Sequence, residues 1–422
     1  MSESVKRWSA LLILLSASIL WNGCTAKELA IPIPETKYLK MDGNRLIRVV
    51  EVSDDRMNRK HSQEETETVD DLANLSLLME EVSGHFAYDS LTDAEQLWYR
   101  DIEGCLGSMV EEIRLSGEGL KAGLDETCID KIFQCVMCDH PEIFYVDGYS
   151  YSKYTRGDSA VAISFSGTYN MGKREAVSRK KIIELSVENL LAGVDADATD
   201  YDLVRFVYET LVRSTDYDLE AADNQNIYSV FVGRASVCLG YAKATQYLLN
   251  QLGIECALVQ GMVDPGEGHA WNLVKVDGSY YYVDTTWGDA SYQMMESAQG
   301  DGGYQPTINY DYLCVTTEQL LRTHTIGGVV EMPECTDLSA NYYVRENAYF
   351  TTYDKEQLTE LFDRAEEQGK EDVTVKCADT DCFWLMKETL IDGQEIFDYM
   401  PEGDSVAYAS NDKQLSLTFW RN

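Results

Sequence analysis

Basic residues are scarce in this chain of 422 residues. It carries 35 lysines and arginines against 72 aspartates and glutamates, which gives a formal net charge of −37. Proteins that bind nucleic acid or anionic lipid through charge need a basic surface, so this balance argues against both as electrostatic partners. An acidic surface instead fits a well-solvated surface protein or a cationic substrate.

Patterns typical of bound metals are also missing. The chain has no loop of the EF-hand type. Cys135 and Cys138 form a C-x-x-C pair, but no second pair stands nearby to complete a zinc site. We interpret this pair as two thiols on a packed helix, with a redox or metal role as the alternative, and we predict no metal and no cofactor. The eleven cysteines are irregularly spaced, which leaves their disulfide state open.

Long hydrophobic runs are absent except near the N-terminus. Lys6 and Arg7 precede an apolar run over residues 11–21, which is short for a membrane span. The run ends before Gly-Cys at Cys24, and a small residue followed by cysteine resembles a bacterial lipoprotein signal. We therefore predict a signal over residues 1–24 and an exported lipoprotein that is anchored to the cell membrane, on its outer surface, through lipid on Cys24. Simple secretion and an uncleaved anchor are the alternatives.

The stretch over residues 236–289 contains a cysteine, a histidine and an aspartate in that order. Apolar residues recur at three- and four-residue spacing over 239–252, which predicts a helix with Ser236 as its N-cap and Gly253 just after its end. Cys238 then lies in the first turn, where the positive end of the helix stabilises a thiolate. This position suits a nucleophilic cysteine.

A β-hairpin is predicted next, because NLVKV and SYYYVD flank Asp277-Gly278. A two-residue turn places His269, Trp271 and Asp284 on one face, with the histidine and the aspartate as diagonal neighbours. The carboxylate can then hydrogen-bond one imidazole nitrogen and leave the other for the thiol of Cys238. A three-residue loop would put the histidine and the aspartate on opposite faces. With the shorter turn, the three residues predict a Cys-His-Asp triad.

The motifs V-C-x-G-Y-A, G-H-A-W-N and V-D-T-T-W-G-D resemble the transglutaminase-like superfamily of papain-type thiol enzymes. The resemblance covers about residues 201–324. It implies a core in which the nucleophile helix packs on an antiparallel sheet. It also implies the roles of nucleophile for Cys238, general base and acid for His269, and orienting group for Asp284.

The resemblance further implies an oxyanion hole made by the backbone N–H of the nucleophile and an upstream side chain. Gln225 and Tyr228 are the candidates for that second donor. Trp271 and Trp287 are expected to shape or shield the site, with a role in the core as the alternative. His324 is interpreted as a structural or surface residue rather than as a second functional histidine.

The whole chain predicts an α+β protein with modules on both sides of this core. Thr92-x-x-Glu95 is a capping-box pattern that opens a helix before the core. The predicted divisions are a signal at 1–24, a flexible tether at 25–71, an N-terminal α+β domain at 72–194, a transglutaminase-like catalytic domain at 195–325 and a small C-terminal α+β domain at 335–422.

The triad and the resemblance together predict an exported thiol enzyme that acts on amide bonds of a protein or peptide through an acyl-enzyme. An amine acceptor gives transamidation and water gives hydrolysis, and the triad residues do not separate the two. A cell-wall or protein peptidase is one alternative, and a non-catalytic surface adhesion or scaffold protein that keeps the fold is another. We expect no nucleic-acid partner and membrane contact only through the lipid anchor, and the oligomeric state is left open.

Overall fold

The computed structural model describes residues 85–156, 159–263, 266–289, 308–400 and 406–420, together with the backbone of two short strands at 38–42 and 45–49. The predicted signal, the predicted lipidation site Cys24 and most of the predicted tether lie outside these residues. None of the helices in the described part is both long enough and apolar enough to cross a lipid bilayer.

The N-terminal part of the described chain packs helices on a small antiparallel sheet. A hairpin precedes it, formed by β1 (Tyr38–Asp42) and β2 (Arg45–Val49). The helices are α1 (Phe86–Asp89), α2 (Asp93–Ser108), α3 (Gly117–Lys121), α4 (Ile129–Asp139) and α5 (Lys173–Leu191). The sheet has the order β3–β5–β4, with β3 (Ile113–Arg114), β4 (Val146–Arg156) and β5 (Ser159–Tyr169). Thr92 and Glu95 form the predicted capping box at the start of α2.

The central part places a buried helix on a four-stranded antiparallel sheet. Its first elements are α6 (Asp200–Ser214), β6 (Asp216–Tyr217), β7 (Ala235–Ser236) and α7 (Cys238–Gln251). They are followed by β8 (Cys256–Val263), β9 (Glu267–Val276), β10 (Ser279–Val283), α8 (Thr285–Gly288), α9 (Thr317–Leu320) and β11 (His324–Gly327). The sheet order is β10–β9–β8–β11, so β11 continues past the boundary predicted at residue 325.

Helix α7 is the centre of this part because almost all of its side chains are buried. It packs against β9 on one side and α6 on another. Asn272 of β9 donates from Nδ2 to the carbonyl oxygen of Ala242 at 2.9 Å, and Gln246 donates from Nε2 to the carbonyl oxygen of Cys138 on α4 at 2.8 Å. These buried hydrogen bonds fix the helix against both the sheet and the N-terminal part.

The C-terminal module combines helices with a second four-stranded sheet. Its elements are α10 (Tyr342–Arg345), β12 (Tyr349–Phe350), α11 (Lys355–Glu367), β13 (Asp372–Cys377), α12 (Thr380–Lys387), β14 (Ala407–Asn411) and β15 (Ser416–Trp420), and its sheet order is β12–β13–β15–β14. Lys376 of β13 forms a buried ion pair with Asp311, at 2.8 Å between Nζ and Oδ1. This pair joins the module to the central part.

One hydrophobic core runs through the N-terminal, central and C-terminal parts. The predicted α+β class is confirmed, as is a core in which α7, the helix that begins at Cys238, packs on an antiparallel sheet. The domain limits given above stay predictions.

Candidate active site

Cys238 is the first residue of α7, and Val237 is the N-cap. The prediction that Ser236 caps this helix was wrong. Its hydroxyl is fully buried and donates to the carbonyl oxygen of Asn224 at 2.8 Å, beside the hydroxyl of Ser229 at 2.7 Å. Within the described residues no side chain caps α7, so the N–H groups of its first turn stay available to an anion at the thiol.

The contacts of Gly240 explain why the cysteine motif has a glycine two residues after Cys238. A Cβ at this position would lie 1.9 Å from Oγ of Ser236 and 3.0 Å from the carbonyl oxygen of Asn224. The glycine therefore lets the loop at Asn224 approach the helix closely. The N–H of Val237 also donates to that carbonyl oxygen, at 3.1 Å. These contacts bring Gln225, the residue after Asn224, next to the start of α7.

The hairpin has the predicted register. Asp277 and Gly278 both have positive φ, 50° and 87°, as a two-residue turn of this kind requires. His269 lies on the inner strand β9, and Asp284 directly follows β10. The His269 Nε2 and Asp284 Oδ2 atoms are 2.8 Å apart, and both side chains are buried. Asp284 also ends the strand, because its Oδ1 accepts from backbone N–H groups at the start of α8.

Charge keeps this pair ionised despite its burial. Burial alone would lower the pKa of His269, but the charge and hydrogen bond of Asp284, together with a hydrogen bond to Cys238, raise it to about 10. Burial would raise the pKa of Asp284, but His269 and His324 hold it well below its usual range. Because Asp284 occupies Nε2 of His269, Nδ1 is the nitrogen left for the thiol.

His324 is the site residue that sequence reasoning missed. It is buried, not on the surface, and its Nε2 lies 3.1 Å from the same Oδ2 atom of Asp284. Burial, together with the nearby charge of His269, lowers the pKa of His324. Nothing in the local pattern around residue 324 marks this role, because β11 is distant in sequence from the hairpin.

The path of the chain after the hairpin brings His324 to this position. The chain pairs with β10 at Val315, through hydrogen bonds to Tyr282 of 2.9 Å in both directions. It then forms β11 at the opposite edge, where His324 pairs with Val263 of β8. The segment after the hairpin thus runs from one edge of the sheet to the other, past the fully buried side chain of Trp271.

Two tryptophans surround the imidazoles. The rings of Trp271 and His269 are stacked with centroids 5.9 Å apart, and the Trp271 ring meets His324 edge-on at 4.9 Å. The half-buried Trp287 lies 6.0 Å from the ring of His269 and 4.8 Å from that of His324. Both indoles therefore shield the histidines from water.

The two candidates for the second oxyanion donor lie in different surroundings. Gln225 lines a cavity of about 360 Å³ beside α7, together with Leu239, and its Oε1 is buried without a hydrogen-bond partner among the described residues. The ring of Tyr228 packs against the N-terminal part, with the guanidinium of Arg179 4.6 Å from its centroid and the ring of Phe144 at 6.4 Å. Gln225 has the better position to reach the nucleophile.

One group of side chains could geometrically hold a metal ion. Within the described residues, nitrogen and oxygen atoms of His269, Asp284 and His324 lie within 4.8 Å of one another. Hydrogen bonds already use each of these atoms. Cys135 and Cys138 are both buried on α4, and burial raises the pKa of Cys135 to about 12, which makes it a poor thiolate ligand.

Comparisons with known proteins agree with this core. Residues 188–285 match the family model of the transglutaminase-like superfamily. Kyphoscoliosis peptidase of Mus musculus is 24% identical over 133 residues, which are 28% of this chain and 20% of the relative. The protein of the same name from Homo sapiens is 26% identical over 106 residues, which are 21% of this chain and 16% of the relative. The chain thus spans about a fifth or less of the length of these relatives.

A solved structure described as "Crystal structure of a TGase" is 15% identical and covers 37% of this chain and 53% of its own, with a TM-score of 0.25. The superfamily match and the named peptidases support a family of thiol enzymes and peptidases for the matched region. The chain therefore carries a transglutaminase-like core within a mixed α+β protein.

Proposed function

We propose that this protein is a thiol enzyme that acts on amide bonds of a protein or peptide through an acyl-enzyme on Cys238. The observation that carries the proposal is the buried His269–Asp284 pair, 2.8 Å apart, with Cys238 at the start of α7 beside the same imidazole. A thiol, an imidazole and a carboxylate joined in this order form the arrangement that activates a cysteine nucleophile.

In the first step, Sγ of Cys238 attacks the amide carbonyl carbon. In the ion-paired site the thiol proton already lies on Nδ1 of the protonated His269, which gives it to the leaving nitrogen as the C–N bond breaks. A thioester and a free amine, or ammonia from a carboxamide, result. Asp284 keeps His269 in the tautomer that faces the thiol and stabilises the imidazolium.

The oxyanion of the tetrahedral intermediate needs donors near Sγ. We assign the backbone N–H of Cys238, which no side chain competes for in the described residues, and the side chain of Gln225 at the edge of the adjacent cavity.

The second step decides the reaction type. Attack of water on the thioester gives hydrolysis, and attack of a primary amine gives transamidation. The curated relatives are named peptidases, which supports water as the acceptor. An amine acceptor is the other outcome that the assay below can report.

We further propose that the protein is exported and anchored to the outer surface of the cell membrane by lipid on Cys24. The charged start, the apolar run and the Gly-Cys step at residue 24 support this. The test is incorporation of labelled palmitate during expression in a bacterial host. Incorporation into the wild type and loss of it in Cys24→Ala are expected, and equal labelling of both would contradict the proposal.

The enzyme proposal is tested with the purified protein, casein and a fluorescent primary amine under reducing conditions. Ammonia, new peptide ends and amine incorporation are followed for the wild type, Cys238→Ala and Cys128→Ala. Cys128 is a half-exposed thiol outside the site and serves as the matched control. Product from the wild type and Cys128→Ala, but not from Cys238→Ala, is expected. Equal product from Cys238→Ala would show that Cys238 is not the nucleophile, and no product from any protein would argue for a non-catalytic role.

A further inference from the structure

The carboxylate of Asp284 has four hydrogen-bond partners. Oδ2 faces Nε2 of His269 at 2.8 Å and Nε2 of His324 at 3.1 Å. Oδ1 accepts from the N–H groups of Thr286 at 2.9 Å and Trp287 at 3.1 Å. The proposed triad accounts for one of the two imidazoles, and the second has no part in the steps given above.

The neighbours of His324 indicate which of its nitrogens carries the proton. Its Nδ1 lies 2.9 Å from the hydroxyl of Thr323. The side-chain amide of Gln414 donates from Nε2 to that hydroxyl at 3.2 Å, and the hydroxyl of Tyr312 lies 3.3 Å away. The Thr323 hydroxyl also lies 3.5 Å from the carbonyl oxygen of Leu320, a longer contact than the one to Nδ1. Because the carboxylate of Asp284 can only accept, Nδ1 of His324 is the nitrogen that accepts from Thr323. His324 then carries its own proton on Nε2 and donates it to Asp284.

Gln414 belongs to the C-terminal module. It lies in the turn between β14 and β15, and its side chain is fully buried. Its Oε1 is 3.4 Å from Nζ of Lys376, the lysine that pairs with Asp311. Asp311 also accepts from the hydroxyl of Ser416 at 2.7 Å. A buried polar network therefore links the C-terminal sheet to the segment that carries Thr323 and His324.

We propose that the C-terminal module completes the active site, with Gln414 and Thr323 orienting His324 so that it holds the carboxylate of Asp284 in place. His324 is then a positioning residue that acts through Asp284. This inference rests on the proposed function, because it assigns further residues to the same site. It also gives the C-terminal module a role that its sequence does not indicate.

The physical reason lies in the rotation of the carboxylate. Both oxygens of Asp284 are held, one by two backbone N–H groups and the other by two imidazoles. The second donor on Oδ2 limits rotation of the carboxylate and keeps it in the plane of its hydrogen bond to His269. That hydrogen bond in turn orients the imidazole toward the thiol, as proton transfer requires. Small losses of alignment at such a site slow the reaction strongly.

The test measures the rate at which iodoacetamide alkylates Cys238 at pH 6.5, read by mass spectrometry of the peptide that contains it. Thr323→Val and His324→Leu remove the proposed hydrogen bonds, and Gln414→Leu removes the donor from the C-terminal module. His324→Gln keeps an N–H group that can reach Asp284. Thr418→Val is the matched control, because it removes a buried hydroxyl contact to Thr374 in the same C-terminal sheet.

We expect at least a fivefold slower reaction for Thr323→Val and His324→Leu, and at least a twofold slower one for Gln414→Leu. His324→Gln and Thr418→Val should stay within twofold of the wild type. Wild-type rates for both Thr323→Val and His324→Leu would overturn the role of His324. A wild-type rate for Gln414→Leu alone would overturn the contribution of the C-terminal module. If His324→Leu does not fold, the rate for Thr323→Val, a nearly isosteric substitution, tests the role of His324.

A His269→Ala variant separates this inference from the proposed function. If wild-type Cys238 reacts no faster than Cys238 in His269→Ala, the proposed thiol site itself fails. If the wild-type rate depends on His269 but not on Thr323 or His324, the proposed function stands and only the positioning role is lost.

Discussion

Replacement of Asp284 by asparagine should remove the charge that keeps His269 protonated. The pKa of His269 is raised from 6.5 to about 10 although burial opposes this, and Asp284 is the main cause. Without the carboxylate, burial should bring the pKa below 6.5. A fall of about 3.5 in pKa corresponds to roughly 5 kcal/mol at 1.36 kcal/mol for each unit. His269 would then be neutral at pH 6.5 or above.

The asparagine should also change the tautomer of His269. Its amide oxygen can replace Oδ1 and still accept from the N–H groups of Thr286 and Trp287. Its NH₂ group then faces Nε2 of both His269 and His324. Nε2 of His269 must accept, so that the imidazole proton moves to Nδ1 on the side of the thiol, and the N–H of His324 loses its acceptor. The imidazolium beside the thiol is lost, while the hydrogen bonds to the start of α8 are kept.

The assay is alkylation of Cys238 by iodoacetamide at pH 6.5. Loss of the imidazolium beside Sγ should slow the reaction by at least about fivefold, because the thiolate is the form that reacts. Asp289→Asn is the matched control, because this buried carboxylate accepts from the hydroxyl of Tyr241 at 3.1 Å in the same region. Its rate should stay within twofold of the wild type. A folded Asp284→Asn protein that reacts as fast as the wild type would refute the reasoning.

Three further predictions concern stability and pH. Lys376→Met should lower the free energy of unfolding by about 3–5 kcal/mol, measured by urea denaturation, because Asp311 is left as a buried charge without its partner. Gly240→Ala should lower it by about 1–3 kcal/mol, because the new Cβ would lie 1.9 Å from Oγ of Ser236. Acyl transfer should decline as the pH rises through about 10, since His269 then loses the proton that the leaving nitrogen needs, which a pH–rate profile would show.

Matched controls accompany these variants. Lys355→Met breaks an exposed ion pair with Asp398 and should leave the urea midpoint unchanged. Gly104→Ala adds a methyl group in α2 where no atom lies within 4 Å, and it should stabilise slightly or have no effect. Equal losses of unfolding free energy in Lys376→Met and Lys355→Met would contradict the claim that burial makes the Lys376 ion pair costly to break. Equal effects of the two alanine variants would contradict the close packing at Gly240. A pH–rate profile that is flat through pH 10 would count against a protonated His269 as the acid.

The free energy of unfolding should also decrease as the pH rises. The pKa of His269 in the folded protein lies above its usual 6.5. Its contribution to the stability of the fold is therefore complete below pH 6.5 and is lost as the pH rises through about 10. The buried His140 of the N-terminal part has a pKa raised to about 9, because its glutamate neighbours outweigh burial, and its contribution is lost through that pH. Both effects weaken the fold at alkaline pH.

Local patterns in the sequence were enough to predict several elements. Helix α2 begins where the capping-box pattern Thr92-x-x-Glu95 predicts, because this signal involves residues only three positions apart. The hairpin register followed from Asp277-Gly278, since few turns other than a two-residue turn suit this pair. The proximity of His269 and Asp284 followed from that register.

Other features depend on contacts between distant segments. Ser236 looks like an N-cap, but its hydroxyl is satisfied by Asn224 across the loop, which no helix pattern reveals. His324 reaches Asp284 because the chain after the hairpin pairs with β10 at Val315 and then forms β11 at the opposite edge of the sheet. Gln414 enters the same network from another sheet. Sequence patterns report local preferences, and these contacts arise from the tertiary fold.

The most direct test of the central claim is detection of an acyl group on Cys238. The wild-type protein would be mixed with a glutamine-containing peptide that it turns over, quenched in acid within the first turnover, digested and examined by mass spectrometry. The account predicts a mass increase equal to the acyl group on the peptide that contains Cys238, removed by hydroxylamine and absent in Cys238→Ala. Turnover of the same peptide by Cys238→Ala at the wild-type rate would contradict the account.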